Sequence, residues 1–192
     1  MANKANKVKF GLKNVHYAKI TFDDDGNATF ATPVRIPGAV NLSMDPEGEP
    51  EIFWADNVAY YVMNNNSGYT GDLELALVPE SFLVDILHEE EDTNGVYAEN
   101  TDTEVEHFAL LFEFDGDIRK TRHVMYNCTC ARPTIESATT EDSKEVQTET
   151  LSLTATALVN GYVKAKTGTN TSSDVYSSWY DAVYEPQAEA TE

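Results

Sequence analysis

The chain has 192 residues, of which 33 are acidic and 13 are Lys or Arg, so its formal net charge is −20. Its apolar fraction of 41% is sufficient for a folded core and excludes a simple acidic disordered tail. The scarcity of basic residues excludes tight nucleic-acid binding through a basic face, and no apolar run approaches the roughly 18 residues that span a membrane. The N-terminus lacks the apolar stretch of a signal peptide, so we expect no classical secretion.

The charge is divided unevenly along the chain. Residues 1–22 contain five lysines and no acid, so the remainder carries eight basic and 33 acidic side chains, a net charge of −25. We interpret residues 1–14 as a basic arm that docks on the acidic surface of a neighbouring copy. A solvated tail beside a solvated surface is the alternative. The candidate arm contacts are Lys4, Lys7, Lys9 and Lys13.

Strand patterns begin at residues 15–22 and resume at 28–36 after an Asp-rich turn cluster. Residues 45–70 differ, because they open with two prolines and continue with aromatic side chains among asparagines. A loop of this length in a compact domain is usually functional, so we predict a long binding loop; packing over the domain's own core is the alternative. The candidate loop residues are Phe53, Trp54, Tyr60, Tyr61 and Tyr69.

One helix is predicted at about residues 80–88. Pro79 suits the first helical turn, Glu80 complements the helix dipole, and an apolar stripe follows. An acidic run at 89–92, unfavourable at a helix C-terminus, ends the helix.

The clearest hairpin lies between residues 107 and 130. Alternate positions from Phe108 to Phe114 place four apolar side chains on one strand face, and an Asp-Gly-Asp turn follows. The return strand begins with the basic cluster Arg119, Lys120 and Arg122. We interpret this cluster either as a solvated strand edge or as an intersubunit charge contact.

Residues 147–159 alternate between an apolar face and a threonine-rich face, which predicts a long strand with one side in water. The acidic tail that follows still holds Trp179 and tyrosines at 176, 180 and 184, a spacing that aligns the tyrosines on one helix face. Such a tail is typical of a segment that orders on a partner. The predicted division is an arm at 1–14, a β domain at 15–166 and a tail at 167–192.

No constellation for catalysis is recognisable. The sequence contains no phosphate-binding glycine loop, nucleophile elbow or zinc-protease helix, and its four histidines are scattered. Cys128 and Cys130 alternate along one strand, which favours two buried reduced thiols over a disulfide or a metal site. We therefore predict no enzymatic activity, no cofactor and no metal.

Six short blocks, in order between residues 8 and 165, resemble the major tail protein (tail tube protein) family of siphophages that infect Gram-positive bacteria. The set is more specific than any one block, and the resemblance does not extend beyond residue 167. The blocks are 8–15 (VKFGLKNV), 33–40 (PVRIPGAV), 55–57 (ADN), 68–71 (GYTG), 108–114 (FALLFEF) and 130–134 (CARPT).

The resemblance implies a mainly β fold: a tail-tube-type β-sandwich with one flanking helix, a long stacking loop at 45–70 and extended terminal arms. It implies hexameric rings of this chain, stacked into a hollow tube that conducts phage DNA from capsid to host without binding it specifically. Tail-tip, tape-measure and tail-terminator proteins are the implied partners. The implied location is the virion tail, after synthesis in the bacterial host cytoplasm.

An extracellular β-sandwich adhesin or carbohydrate-binding module is the alternative function. It would account for the aromatic residues, but a secretion signal is then expected. A small hydrolase is a weaker alternative, since it requires a catalytic cluster that the sequence does not show.

Overall fold

Antiparallel strands are the main regular structure of the computed structural model, which describes residues 4–139 and 146–187. Its mainly β composition confirms the predicted fold class. The described strands are β1 Lys9–Phe22, β2 Ala28–Phe30, β3 Val34–Arg35, β4 Ala39–Glu47, β5 Glu51–Ala55, β6 Val58–Met63, β7 Gly68–Leu75, β8 Glu90–Glu91, β9 Tyr97–Ala98, β10 Phe108–Gly116, β11 Thr121–Cys130, β12 Glu149–Thr156 and β13 Lys164–Lys166. The helical elements are α1 Glu80–Asp85, α2 Ser173–Ser177 and a 3-10 turn at Ser178–Tyr180.

Nine strands form one sheet with the order β2-β1-β10-β11-β12-β7-β4, to which β3 and β13 add at the sides. The sheet folds over, so that apolar residues of its β1–β10 part and its β7–β12 part share one core. Helix α1 packs into this core. The Phe82 ring contacts the rings of Tyr17 and Phe108 edge-on, with centroid distances of 5.2 and 5.4 Å. The core is therefore closed by the chain itself, as in a two-layer β-sandwich.

A second apolar cluster covers the other face of β1, β10 and β11. Residues 172–187, here called the C-terminal segment, supply its lid, and Trp179 within it is 2% exposed. The Tyr126 hydroxyl donates a 2.8 Å hydrogen bond to the Tyr184 carbonyl and ties the segment down. Because both faces of β10 are covered, its residues from Phe108 to Glu113 are all buried.

Helix α1 is shorter than the predicted helix at about 80–88. It ends at Asp85, and His88 adopts φ 55°, a left-handed conformation that turns the chain away from the helix axis. The prediction of a single helix was also incomplete, because α2 forms inside the predicted tail. Residues 188–192 of that tail lie outside the described residues.

Strand β12 is shorter than the predicted strand at 147–159. The apolar face holds as far as Ala155, but beyond Thr156 the buried residue is Leu158, whereas Val159 is exposed. The Gly161 amide donates a 2.8 Å hydrogen bond to the Leu158 carbonyl, and this turn directs Leu158 into the second cluster. The change of phase therefore comes from a turn that strand alternation does not anticipate.

Candidate assembly interface

The predicted loop at 45–70 is built mostly of strands. Between β4 and β7, strands β5 and β6 pair antiparallel and form a hairpin, here called the distal hairpin (residues 51–63). Its two-residue turn, Asp56-Asn57, has φ of 52° and 60°, as in the type I′ turn that matches the twist of a hairpin. Sequence reasoning missed the hairpin because Asp-Asn is a weaker turn signal than Asn-Gly or Asp-Gly.

Two glycines set the base of the distal hairpin. Gly48 has φ 125°, and a Cβ there would lie 2.2 Å from the Asn65 carbonyl oxygen. Gly68 has φ 121°, and a Cβ there would lie 2.1 Å from the Ala155 carbonyl oxygen. Only glycine fits such close backbone approaches, so the direction of the hairpin depends on these two positions.

The distal hairpin carries large apolar side chains on both faces. Ile52 lies opposite Val62 and Phe53 lies opposite Tyr61, and successive strand residues point to opposite faces. All four are exposed, and Trp54 is 63% exposed. A two-stranded ribbon with both faces in water is marginally stable, and an exposed apolar patch of this kind marks an interaction surface. The predicted loop residues that the hairpin brings together are Phe53, Trp54, Tyr60 and Tyr61.

Tyr69, the remaining predicted loop residue, lies apart from these four. It belongs to β7, where it is half-buried against the main core. The ammonium group of Lys164 lies over its ring, 4.1 Å from the centroid. Tyr69 therefore has partners within its own chain, whereas the described residues provide no hydrogen bond, ring stack or cation to the exposed hairpin aromatics.

The four predicted arm lysines fall into two groups. Lys9 and Lys13 belong to β1, and the Lys13 ammonium lies 2.7 Å from the Asp115 carboxylate. Lys4 and Lys7 precede β1, and no ion pair joins their side chains to residues 4–139 or 146–187. Residues 1–3 of the predicted arm lie outside the described residues. Within the described residues, Lys4 and Lys7 have no ion pair, Lys9 has a cation–π contact with the Phe114 ring, and Lys13 is paired.

The basic cluster Arg119, Lys120 and Arg122, at the start of β11, contacts residues of its own chain. Glu113 is fully buried, with Lys120 Nζ at 2.7 Å and Arg122 Nε at 3.3 Å from its carboxylate oxygens. The Arg122 guanidinium also stacks on the Tyr176 ring at 4.0 Å and donates a hydrogen bond to the Tyr176 carbonyl. The partners of this cluster are a buried carboxylate and the C-terminal segment, and the Lys120 side chain remains 43% exposed.

The outward face of β4, β7 and β12 is polar and carries no positive charge, because none of these strands contains Lys or Arg. Ser152 donates a 2.8 Å hydrogen bond to Asp72, and Thr148 donates a 2.7 Å bond to Glu74. Strand β4 ends the order of paired strands in the described sheet, so its outer edge is open. Register places the outward side chains in three rows: Asn41, Glu74 and Thr150; Ser43, Asp72 and Ser152; Asp45, Thr70 and Thr154.

Burial governs the titratable groups of β11. It raises the pKa of the Cys128 and Cys130 thiols to about 12, so both are protonated at neutral pH, and both are free and buried as predicted. Burial, reinforced by the charges of Lys166 and Lys9, lowers the pKa of His123 to about 4. Among the described residues, no three His, Cys, Asp or Glu side chains are grouped so as to hold a metal ion.

The match to known families defines the class of protein. A family model described as phage tail tube protein matches residues 1–185, so the chain belongs to the phage tail tube protein family. It is a structural protein of a phage tail and a component of the virion. None of the helices in the described ranges is long and apolar enough to cross a membrane.

Two solved structures have a weak likeness to the chain. A chain of the anti-feeding prophage baseplate, a 6-fold symmetrised cryo-EM structure, has a TM-score of 0.48 and 14% identity over 88% of this chain and 99% of that chain. A chain of the anti-feeding prophage tube terminating cap has a TM-score of 0.47 and 10% identity over 85% of this chain and 95% of that chain. No curated protein sequence matches the chain. The family assignment follows from the sequence match.

Proposed function

We propose that this chain is the repeating subunit of a tail tube, assembled as hexameric rings stacked around a hollow channel that conducts phage DNA from capsid to host. The observation that carries the proposal is the distal hairpin, whose apolar side chains are exposed on both faces. A hairpin that is apolar on both faces is stable only when two surfaces cover it. Burial between successive rings would supply both surfaces.

The edge of the sheet supports closure of a ring. Strand β4 is nine residues long, and the backbone groups along its outer edge pair with no strand of the described sheet. An open edge of this length promotes uncontrolled strand pairing unless another element covers it. A head-to-tail contact that closes after six copies covers every such edge, because a heterologous interface with the right rotation generates a ring.

We assign the wall of the channel to the outward face of β4, β7 and β12. Its three rows of Asn, Ser, Thr, Asp and Glu side chains present hydroxyl groups and negative charge. Duplex DNA carries about one negative charge per 1.7 Å of axis, so a basic wall would retain it, whereas an acidic and hydroxyl-rich wall lets it slide. The DNA is then cargo and not a ligand.

The proposed role as a tube subunit also implies the partners and the location of the protein. Its partners are other copies of itself, together with the tail-tip, tape-measure and tail-terminator proteins that begin, measure and end a tube. The subunit is made in the bacterial host cytoplasm and acts in the tail. We assign it no catalytic role and no cofactor, because the proposed function requires assembly and a passive wall.

The test is to remove the aromatic part of the distal hairpin without disturbing its base. Because Ile52 pairs with Val62, replacing residues 53–61 by Asn-Gly leaves a shorter hairpin with a two-residue turn. We expect this variant to melt at the wild-type temperature and to form no long tubes on negative-stain micrographs. The matched control is Val96→Ser, which removes an equally exposed apolar side chain from another turn, and it should assemble normally. Tubes of normal length from the shortened variant would overturn the proposal.

The basic arm has a separate test. Replacing Lys4 and Lys7 by Glu changes two charges that are unpaired within the described residues. We expect ring stacking to be impaired, with rings or short stacks in place of long tubes. Lys13→Glu is the comparison variant, because it breaks the internal pair with Asp115 and so changes the unfolding free energy as well. Unchanged polymerisation of the Lys4 and Lys7 variant would reject the arm contact.

A further inference from the structure

We propose that the surface around Arg35 is the docking site for the distal hairpin of another copy. Arg35 would pair with Glu49 and Glu51, the acidic root of that hairpin. The inference rests on the proposed tail tube function and names the surface on which the hairpin docks. Three observations carry it: an arginine without an acidic partner among the described residues, exposed apolar residues on the adjoining segments, and a position at the far end of the sheet from the hairpin.

Arg35 lies beside an open cleft of about 360 Å³ between β1 and the start of β4. Two other cations border the cleft, but Lys13 is paired with Asp115 and Lys120 with Glu113. Arg35 is exposed, and no carboxylate in residues 4–139 or 146–187 pairs with it. Among the described arginines, Arg119 and Arg122 lie over the Tyr176 ring and Arg132 pairs with Glu99, whereas Arg35 has no such partner and can take a carboxylate from another copy.

Exposed apolar residues occur on the segments that adjoin Arg35. Val34 precedes it on β3, with its side chain on the other face of that strand, and Val40 follows the cleft on β4. Leu77, which follows the β7 strand that pairs with β4, is exposed to 67%. The central feature of a protein interface is an apolar patch with a few placed charges, and arginine is enriched there.

The position of this surface is opposite to that of the distal hairpin. In the β4–β7 pair, Ala39 lies against Leu75 at one end and Glu47 lies against Gly68 at the other. Arg35 precedes Ala39, whereas the hairpin leaves the sheet after Glu47, so the two surfaces are separated by about 25 Å of strand. They therefore meet between copies stacked end to end, which is the heterologous contact that builds a filament.

The root of the distal hairpin has the complementary charge. Glu49 and Glu51 flank Pro50 just before the exposed apolar residues, and both are exposed. Neither has a cationic partner in the described ranges. A bidentate arginine–carboxylate pair beside packed aromatic and aliphatic side chains joins charge complementarity to apolar burial.

Charge exchange tests the pairing. We expect Arg35→Glu to lower the yield of sedimentable tubes at least tenfold, and the double variant E49R/E51R to do the same, with melting temperatures unchanged. The triple variant R35E/E49R/E51R restores the opposite charges and should recover tubes. Lys166→Glu is the matched control, because Lys166 is exposed and forms no ion pair within the described residues, and it should assemble normally.

The outcomes separate the inference from the proposed function. If Arg35→Glu forms normal tubes while the shortened hairpin does not, the docking site is wrong and the function stands. If the triple variant fails to recover tubes, the pairing is wrong. If the shortened hairpin assembles normally, the proposed function fails first.

Cysteine cross-linking gives a second measurement that does not depend on charge. The native thiols Cys128 and Cys130 are buried, so Arg35→Cys and Glu51→Cys each add one reactive thiol. When the two variants are mixed, assembled and treated with a short bis-maleimide, we expect a cross-linked dimer that neither variant forms alone. Tubes without that dimer would overturn the contact.

Discussion

The distal hairpin and the C-terminal segment have similar compositions, but the first is exposed and the second is packed on its own chain. Both are acidic stretches that contain tyrosines and one of the two tryptophans of the chain. Trp179 is buried in the second apolar cluster, whereas Trp54 is 63% exposed. Aromatic content thus signals that a segment has a contact to make, but not whether the partner is the same chain or another molecule.

The difference lies in what the rest of the chain offers. The C-terminal segment packs on one face of β1, β10 and β11. Arg122 stacks on its Tyr176 ring, and the Tyr126 hydroxyl donates a hydrogen bond to its Tyr184 carbonyl. The distal hairpin projects beyond the end of the sheet, where no such face exists in the described structure. Predictions about the two segments therefore concern stability for one and assembly for the other.

The largest effect on stability is expected for Trp179→Ala. The indole is buried against the second cluster and stacks on Tyr184 with centroids 5.5 Å apart. Removal of a buried large aromatic side chain costs about 3–5 kcal/mol of unfolding free energy. Urea unfolding followed by circular dichroism measures the change. A loss below about 1 kcal/mol would mean that the segment is not part of the folded core.

A somewhat smaller loss is expected for Arg122→Ala. The change leaves the buried Glu113 with one cation fewer and removes the stack on Tyr176. Breaking a buried ion pair costs about 3 kcal/mol. Limited proteolysis should also show earlier cleavage within the C-terminal segment. The control is Arg132→Ala at the more exposed pair with Glu99, for which we expect less than about 1 kcal/mol.

Acid should lower the unfolding free energy through protonation of His123. Burial lowers its pKa from 6.5 to about 4, so the folded state prefers the neutral ring. The imidazole takes up a proton near pH 6.5 in the unfolded chain but only near pH 4 in the folded one. The unfolding free energy therefore has its full value above pH 6.5 and decreases as the pH falls from 6.5 toward 4, by at most about 3 kcal/mol. In His123→Phe, which keeps a ring against Phe112, the unfolding free energy should depend less on pH in this window. An unchanged pH profile would contradict the assignment.

The smallest effect on stability is expected for Trp54→Ala. The side chain is exposed on the distal hairpin, so the unfolding free energy should change by less than about 0.5 kcal/mol. Assembly should nevertheless be strongly reduced, because an aromatic anchor at an interface carries much of its binding energy. Sedimentation of tubes against urea unfolding of the same variant gives the two readings. A large loss of stability would mean that the hairpin packs on its own chain.

Local sequence patterns predicted much of the main sheet and its helix. Alternation predicted the β10–β11 hairpin and the buried face of β12 as far as Ala155, and an apolar stripe with Pro79 predicted α1. These features follow from periods of 2 and 3.6 residues, which a sequence displays directly. The distal hairpin was predicted as a loop, because its Asp-Asn turn is a weak signal and both of its faces are apolar.

By itself, the sequence determined the mainly β class, the excess of acid over base and the tail tube family, because composition, alternation and ordered motifs are local properties. Only the tertiary structure decided that Glu113 is buried, that Lys120 and Arg122 pair with it, and that the C-terminal segment covers its own sheet. Only the strand pairing showed that residues 51–63 form a hairpin beyond one end of the β4–β7 pair. Contacts between residues distant in sequence depend on how the sheet folds over, and that information is not contained in any single segment.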